Sequence, residues 1–387
     1  MNLTEIQAAL RDGGHEAWLF YDHHHRDPIA YRVLGLPTDR LTSRRLFYLI
    51  PASGEPKKLV HRIESHHLDT LPGSKTEYSS WEELAFGLET MVKPYHKLVM
   101  QYSKNNQIPY ISLVDAGMLD LVRSFGKEIE TSANLVARFE ATLTESQIAS
   151  HYTAQKKIDQ ITAAAFQELG RRARNGGTNE FEMQQWIMEA FRRQNLVSGD
   201  PVNVSVNANS GDPHYEPTSA SSAPIKQGDF VLMDIWGKLD EPDSVFYDIT
   251  WTGVIGTPSD KQREVFNIVR DARDVGINKV KAAFEAGKAI RGWEVDQAVH
   301  DFIVSKGYGK NIFHRTGHSI TSDIHGNGAN LDNLETKDDR LILPNTCFSV
   351  EPGIYMPDFG VRSEIDMMTR NGKAEVTGRI QNELVLI

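Results

Sequence analysis

Short apolar runs alternate with amphipathic segments over the first third of the chain. This pattern predicts strands over residues 17–21, 45–50 and 97–101. A capping-box sequence at residues 80–83 opens one predicted helix, and apolar residues at helical spacing predict another over 115–125. Strands that alternate with helices indicate a small α/β domain.

A second predicted domain follows a boundary at residues 135–144. Residues 144–147 form another capping box and open a long helix, which the pair Gly176-Gly177 ends. Further helices are predicted over 178–193, 259–284 and 292–306, and strands over 229–236, 347–350, 360–366 and 383–387. We therefore predict an α/β domain over residues 1–140 and an α+β domain over residues 141–387.

Composition and charge narrow the class of protein. The 387 residues carry a formal net charge of −10, which argues against a partner bound through the phosphates of a nucleic acid. The single cysteine, Cys347, excludes an internal disulfide and suits a reducing compartment. Charges interrupt the first residues where a signal peptide needs an apolar run, and no stretch is apolar enough to span a membrane. We expect a cytoplasmic protein without membrane contact.

Acidic residues follow or interrupt several of the predicted strands of the second domain. Asp234 ends an apolar run, Glu351 follows residues 348–350, and strand alternation over 360–366 places Arg362, Glu364 and Asp366 on one face. A carboxylate buried at such a place must be paired, protonated or bound to a metal. Taken singly, each of these residues is more often a cap or an ion-pair partner than a ligand.

Two more candidates complete an oxygen-rich set. Asp248 lies in the next strand-like segment, and His318 lies in a histidine-rich stretch, residues 313–320. Four carboxylates and one imidazole are hard ligands with too much negative charge for one cation. Two divalent cations would neutralise this charge, and such pairs activate water for hydrolysis.

Four segments, in order, resemble those of one family, the pita-bread metallopeptidases. Residues 229–234 with 247–252 resemble its paired-aspartate segments, and residues 314–325 resemble its His-x-x-Gly-His signature with a later histidine. Residues 349–355 and 360–364 resemble its two glutamate motifs. The family includes Xaa-Pro dipeptidase (prolidase), aminopeptidase P and methionine aminopeptidase, with creatinase as a metal-free relative. The resemblance implies a creatinase/prolidase-type N-terminal α/β domain and an α+β pita-bread (creatinase/aminopeptidase-like) catalytic domain.

The resemblance also implies roles for the site residues. It makes Asp234, Asp248, His318, Glu351 and Glu364 the metal ligands, with Asp248 and Glu364 bridging two ions. Glu351 would also serve as the catalytic acid and base. The ions would be divalent, with manganese first and cobalt, zinc or iron as alternatives.

Other residues are assigned around this centre by the same resemblance. His214 and His325 would contact the reacting peptide or move its protons, and His314 would support the site. Thr250 would hold a ligand carboxylate in place. Ala329 replaces the arginine that prolidases often use to hold the substrate carboxylate. Arg315, Arg362 or a residue of the N-terminal domain therefore becomes the candidate anchor, and for Arg362 an ion pair with a ligand acid is at least an equal alternative.

The implied activity is hydrolysis of the Xaa-Pro bond of dipeptides by a hydroxide that bridges two metals. Aminopeptidase P activity on longer Xaa-Pro-Yaa peptides is the alternative. A different class is a metal-free member that binds peptides or acts as a creatinase-like amidinohydrolase. Small proline-containing peptides are the expected partners, together with a second copy of the chain in a homodimer.

Overall fold

The computed structural model describes residues 1–387. The chain divides into two compact units, Met1–Glu140 and Ala141–Ile387. None of its helices combines the length and the apolar character required to cross a membrane.

Unit 1 is an α/β layer structure built on one six-stranded sheet with the order β4-β3-β2-β1-β5-β6. Its strands are β1 Ala17–Asp22, β2 Leu46–Pro51, β3 Lys57–His61, β4 Ser74–Tyr78, β5 Lys97–Met100 and β6 Glu128–Thr131. Its helices are α1 Leu3–Asp12, α2 Pro28–Leu34, α3 Trp81–Val92, α4 Ala116–Ser124 and α5 Ala133–Glu140.

Both faces of the unit 1 sheet are covered, which explains the continuous apolar runs of its central strands. Trp18 and Phe20 pack in the core on one face of the sheet, whereas Leu19 belongs to the core on the other face. Side chains of a strand point alternately to opposite faces, so a strand with two buried faces has no polar alternation. The predicted capping box forms as well, since Glu83 and Ser80 exchange hydrogen bonds at the start of α3.

Unit 2 contains four helices and thirteen short strands, which is the predicted α+β class. The helices are α6 Glu145–Arg174, α7 Glu180–Arg193, α8 Asp260–Glu285 and α9 Gly292–Ser305. The strands are β7 Thr178–Asn179, β8 Leu196–Val197, β9 Asn203–Val206, β10 Pro224–Ile225, β11 Phe230–Leu239, β12 Tyr247–Val254, β13 Ser319–Ile320, β14 Cys347–Val350, β15 Gly353–Tyr355, β16 Gly360–Arg362, β17 Ile365–Arg370, β18 Lys373–Thr377 and β19 Val385–Leu386.

Two sheets of unit 2 carry the acidic segments that the sequence analysis singled out. In one sheet β11 lies between β9 and β12, and both neighbours run antiparallel to it. In the other, β14 lies between β13 and β17. Helix α6 packs its apolar side, including Ile158 and Ala165, against β11.

The prediction of one continuous strand over residues 360–366 is wrong, because the structure divides this segment into two strands. The chain forms β16, leaves Ser363 and Glu364 outside regular structure, and resumes as β17. β16 pairs with β15 while β17 pairs with β14, so the segment changes partner at this break. Sequence alternation alone does not reveal such a change, because it depends on which strand lies alongside.

One histidine of α6 is entirely buried. The Nδ1 of His151 lies 2.6 Å from the carbonyl oxygen of Phe246, which can only accept, so Nδ1 carries the proton and Nε2, 2.8 Å from the Thr377 hydroxyl, accepts. Burial lowers the pKa of His151 to about 4, although the hydrogen bond to Phe246 opposes this shift. The folded protein therefore holds His151 as a neutral imidazole over most of the accessible pH range.

The neutral His151 predicts a loss of stability in acid. Below its ordinary pKa of 6.5 the unfolded chain binds a proton that the folded chain excludes until about pH 4, so the free energy of unfolding falls as the pH falls through this range. The full loss is about 3 kcal/mol at one pKa unit per 1.4 kcal/mol. Urea unfolding of metal-free protein at pH 7 and pH 4.5 measures it. His151→Gln should flatten this dependence, whereas a substitution of the exposed His24 should not, and equal slopes in all three proteins would contradict the assignment.

Candidate metal centre

Two neighbouring strands bring the first two acidic residues together. Asp234 on β11 lies opposite Thr250 on β12, and Trp236 lies opposite Asp248. Asp248 and Thr250 are two positions apart on β12, so their side chains lie on the same face of the sheet. Asp234 lies on this face too, directly opposite Thr250 and diagonal to Asp248. The hairpin thus presents two carboxylates and a hydroxyl to the same space.

The second sheet contributes an imidazole and a third carboxylate. His318 directly precedes β13, and Glu351 directly follows β14, the strand paired with it. The His318 Nε2 atom lies 3.5 Å from Glu351 Oε1 and 3.5 Å from Asp248 Oδ2. The amide of His318 donates to the hydroxyl of Ser349, and this hydroxyl in turn donates to Glu351.

Glu364 closes the group from the break between β16 and β17. Its amide donates to the carbonyl of Thr250 at 3.2 Å, and its Oε2 accepts the Thr250 hydroxyl at 2.7 Å. Asp248, His318 and Glu364 each offer a ligand atom within 4.8 Å of the others. The structure therefore assembles the five predicted ligand residues around one space: Asp234, Asp248, His318, Glu351 and Glu364.

Burial and mutual repulsion dominate the electrostatics of this group. Burial raises the pKa of Glu364 well above its ordinary value, and the charges of Asp248, Glu351 and Asp234 raise it further. Asp248 behaves similarly, with burial first and Asp234 second. Carboxylates this close cannot all ionise without a compensating positive charge.

His318 is held in the tautomer that a metal ligand requires. Its Nδ1 faces the carbonyl of Ser319 at 3.3 Å, so Nδ1 carries the proton and the lone pair of Nε2 points toward Asp248 and Glu351. Burial lowers the pKa of His318, which keeps the ring neutral. A neutral imidazole with a free Nε2 lone pair is the form that binds metals.

Arg362 supplies a positive charge that contacts these acids directly. Its guanidinium is 4 % exposed, lies 2.5 Å from Asp234 Oδ2, and donates to the Thr250 hydroxyl at 3.0 Å. Because the guanidinium group of Arg362 already binds Asp234 and Thr250, it is not available to bind a substrate carboxylate. Of the two roles weighed for Arg362, the ion pair with a ligand acid is the one that the geometry supports.

Tyr355 is a site residue that the sequence analysis did not single out. Its hydroxyl accepts a hydrogen bond from Arg362 Nη1 at 3.0 Å and lies 2.6 Å from His314 Nε2. The His314 Nδ1 donates to the carbonyl of Arg315, so Nε2 is the acceptor and Tyr355 is the donor. Both nitrogens of His314 are therefore engaged, and the ring supports Arg362 through Tyr355. Only the position of Tyr355, within the predicted glutamate motif, hinted at this role.

The remaining predicted residues surround the same space from the solvent side. His325 is exposed and meets the ring of His318 edge-on, with centroids 4.5 Å apart. His214 is also exposed, and its charge, like that of Arg315, adds to the lowering of the pKa of His314 that burial chiefly causes. The exposed His325 therefore lies beside the ligand His318, and His214 is close enough to act electrostatically on His314 and His325.

Asp366 holds the backbone of one of the ligand residues, Asp248. Its Oδ2 accepts the amide of Asp248 at 2.9 Å, which fixes the backbone that carries this acid. Asp366 is fully buried, and burial together with the charge of Asp248 raises its pKa. The sequence placed Asp366 on the face of Arg362 and Glu364 but gave no sign of this backbone contact.

A family model described as metallopeptidase family M24 matches residues 154–371. The match covers more than half of the chain and includes every residue of the acidic group. The chain belongs to this family. It is therefore a metallopeptidase by descent, as the four motifs predicted.

Curated relatives and solved structures agree with this placement. The chain is 36 % identical over 172 residues to the Xaa-Pro dipeptidase of Lactobacillus helveticus. The aligned region covers 44 % of this chain and 42 % of that enzyme. It is 27 % identical over 297 residues to the Xaa-Pro dipeptidase of Lactobacillus delbrueckii subsp. lactis, covering 76 % and 73 % of the two proteins. The crystal structure of the dipeptidase PepE from Mycobacterium ulcerans superposes with a TM-score of 0.70 at 20 % identity, over 99 % of this chain and 96 % of that one. The predicted fold class, a pita-bread domain with an N-terminal α/β domain, is confirmed.

The donor groups fit divalent cations. Oδ1 of Asp234 and Oδ1 of Asp248 are buried and have no hydrogen-bond partner in the protein. A buried carboxylate oxygen without a partner costs free energy unless a cation or a proton satisfies it. Two such oxygens, together with the unprotonated Nε2 of His318, form a ligand set that the protein itself leaves unsatisfied.

Charge repulsion predicts an unusual response to Glu364→Gln. In metal-free protein this change removes one of several repelling carboxylates while keeping an oxygen that accepts from Thr250, so the free energy of unfolding should rise by about 1–2 kcal/mol. With manganese added, the wild type should gain more stability than the variant, because the variant has lost a ligand. Thermal unfolding with and without metal measures both. A variant that is destabilised without metal, or that gains as much as wild type from it, would contradict a metal-ligand role for Glu364.

Proposed function

We propose that this protein is a metal-dependent Xaa-Pro dipeptidase. The observation that carries the proposal is the buried convergence of four carboxylates and His318, in which the protein leaves carboxylate oxygens without partners. Membership of a metallopeptidase family and similarity to enzymes named Xaa-Pro dipeptidase support the same conclusion.

Two divalent ions would be held by Asp234, Asp248, His318, Glu351 and Glu364. When bound, such ions polarise a carbonyl group and acidify a water molecule. We propose manganese as the metal, because oxygen donors outnumber the single nitrogen, and cobalt, zinc and iron accept the same donors.

Glu351 is the residue proposed to move protons. Its carboxylate lies 3.5 Å from His318 Nε2, and Ser349 donates to the same carboxylate oxygen at 3.2 Å. From this position it accepts a proton from the attacking water and returns it to the departing nitrogen. The Ser349 hydrogen bond fixes the orientation of the carboxylate for both transfers.

The exposed histidines act on the peptide rather than on the ligands. His325, packed edge-on against His318, and His214 carry N–H groups at the mouth of the site. We assign them to hydrogen bonds with the carbonyl oxygen as it gains negative charge, and with the nitrogen of the leaving residue. Both rings are exposed and therefore accessible to a substrate.

A bond to proline suits a site built in this way. The Xaa-Pro bond is a tertiary amide without an N–H, so an enzyme cannot hold it through that donor. Recognition must come from the carbonyl, the amino terminus and the carboxylate of a dipeptide. Arg315 is the proposed anchor for the carboxylate, since its charge acts on His314, His318 and Glu351 and its neighbour Arg362 is committed to Asp234.

Aminopeptidase P activity on longer peptides remains the second candidate, and one observation favours it. Ala329 occupies the place of the usual prolidase arginine and lies within an apolar core cluster, 8 % exposed. No cation can therefore hold a substrate carboxylate from that position.

Two matched substrates separate these activities. Manganese-loaded protein should release proline from an Xaa-Pro dipeptide with a kcat/KM about tenfold or more above that for removal of Xaa from the matching Xaa-Pro-Yaa tripeptide, because only the dipeptide places its carboxylate beside the site. Glu351→Gln should reduce both rates by about a thousandfold. A preference for the tripeptide would assign aminopeptidase P, and a metal-loaded protein inactive on both would overturn the peptidase proposal in favour of a peptide-binding member.

The anchor role of Arg315 has its own test. Arg315→Gln should raise KM for the dipeptide by about tenfold and leave kcat within a few-fold, since it removes binding of an unreacting group. The same change should have little effect on the dipeptide amide, which lacks the carboxylate. An equal loss on the acid and the amide would show that Arg315 acts on the site in another way.

A further inference from the structure

The loop that carries His214 has little regular structure of its own. Residues 207–223 join β9 to β10, and within them the chain forms a short 3₁₀ helix, Asn207–Gly211. No ladder of backbone hydrogen bonds fixes the rest of such a loop, so its shape depends on the individual contacts that it makes. These contacts therefore decide where the exposed imidazole of His214 lies.

One fully buried carboxylate lies against this loop. Glu180 is the first residue of α7 and is 0 % exposed. Its side chain does not cap its own helix, because the side chain of Asn179 does so by accepting the amide of Glu182. A buried carboxylate is costly without hydrogen bonds. The partners of Glu180 must therefore come from outside α7.

Four groups donate to the Glu180 carboxylate, and they are spread along the whole loop. The amide of Val206 donates to Oε1 at 2.8 Å where the loop begins, and the amide of Ala223 donates to Oε2 at 2.7 Å where it ends. Between them, the side chain of Asn209 donates at 3.0 Å and the hydroxyl of Tyr215 at 2.6 Å. Glu180 therefore ties both ends and the middle of the loop to one point.

Tyr215 connects this point to His214, its neighbour in the chain. While the Tyr215 hydroxyl binds Glu180, the Tyr215 carbonyl accepts the side chain of Asn203 on β9 at 2.6 Å. Asp212 holds the preceding turn, since its side chain accepts the amide of His214 and its carbonyl accepts that of Tyr215. The backbone that carries the His214 ring is thus held from both sides.

The same loop contacts the strand that leads to the metal centre. The amide of Gly360, the first residue of β16, donates to the hydroxyl of Ser210 at 3.0 Å. A Cβ at Gly360 would lie 2.0 Å from the carbonyl oxygen of Ser210, so this close approach requires glycine. β16 ends at Arg362, which binds the ligand residue Asp234. The loop is therefore held against the part of unit 2 that carries the ligands.

We propose that Glu180 is a positioning residue for the peptidase reaction, which holds the loop 207–223 so that His214 meets the substrate. This role rests on the proposed function, because Glu180 would act on the reaction only through His214. Displacing a group that contacts the reacting atoms by about 1 Å can cost about a hundredfold in rate. A carboxylate suits the task, since its two oxygens only accept and four donors converge on them.

Kinetics of the manganese-loaded, full-length protein on an Xaa-Pro dipeptide test this role. Glu180→Gln keeps the size of the side chain but turns an NH2 group toward donors, so kcat should fall by about tenfold with KM within a few-fold. Tyr215→Phe removes one of the four bonds and keeps the buried acid, and should lower kcat by about threefold. Glu182→Gln changes an exposed carboxylate of the same helix and should behave as wild type does.

A double-mutant cycle separates positioning of His214 from a general effect on the fold. If Glu180 acts through this ring, Glu180→Gln should lower kcat by less than about twofold in the His214→Ala background. An equal tenfold loss in both backgrounds would overturn the positioning role. Wild-type kinetics in Glu180→Gln would overturn it as well.

Hydrogen exchange measures the anchor without reference to activity. Backbone amides of residues 207–223 should exchange about tenfold or more faster in Glu180→Gln than in wild type, whereas those of α6 and β12 should not change. Tyr215→Phe should show a smaller increase in the same segment. Unchanged exchange of the loop in both variants would overturn the anchor itself. Wild-type protein inactive on every Xaa-Pro peptide would instead overturn the proposed function, and with it the catalytic effect of Glu180.

Discussion

The repulsion among buried carboxylates is the constraint on which unit 2 depends. Burial and the neighbouring acids both raise the pKa of Glu364 and of Asp248, and Arg362 contacts the group as a counter-charge. One guanidinium cannot balance four acids. The folded protein therefore holds several mutually repelling carboxylates together. Divalent cations would offset this repulsion, and the same cations would supply the proposed chemistry.

The surrounding hydrogen bonds keep these acids in place. Thr250 holds Glu364, Ser349 holds both Glu351 and the backbone of His318, and Asp366 holds the backbone of Asp248. On the other side, Tyr355 connects Arg362 to His314. The side chains of Asp234, Glu351 and Glu364 are thus each hydrogen-bonded, so none of these three acids can turn away from the group without breaking a bond.

The sequence predicted the two-part architecture and the five residues that the structure brings together, because each acid lies in a short motif beside a strand whose apolar run is readable. It could not decide the role of Arg362, whose partners Asp234 and Thr250 are more than a hundred residues away in the chain. It also missed Tyr355 and the break at Ser363 and Glu364, since both depend on which strands become neighbours.

The most direct measurement is anomalous diffraction from crystals of manganese-loaded protein. The account predicts two peaks about 3.5–4 Å apart, contacted by Asp234, Asp248, His318, Glu351 and Glu364, with Asp248 and Glu364 touching both. It would be contradicted by crystals without a peak at this place, or by a metal bound instead at the other buried group of possible ligands, His151, Cys347 and Asp366.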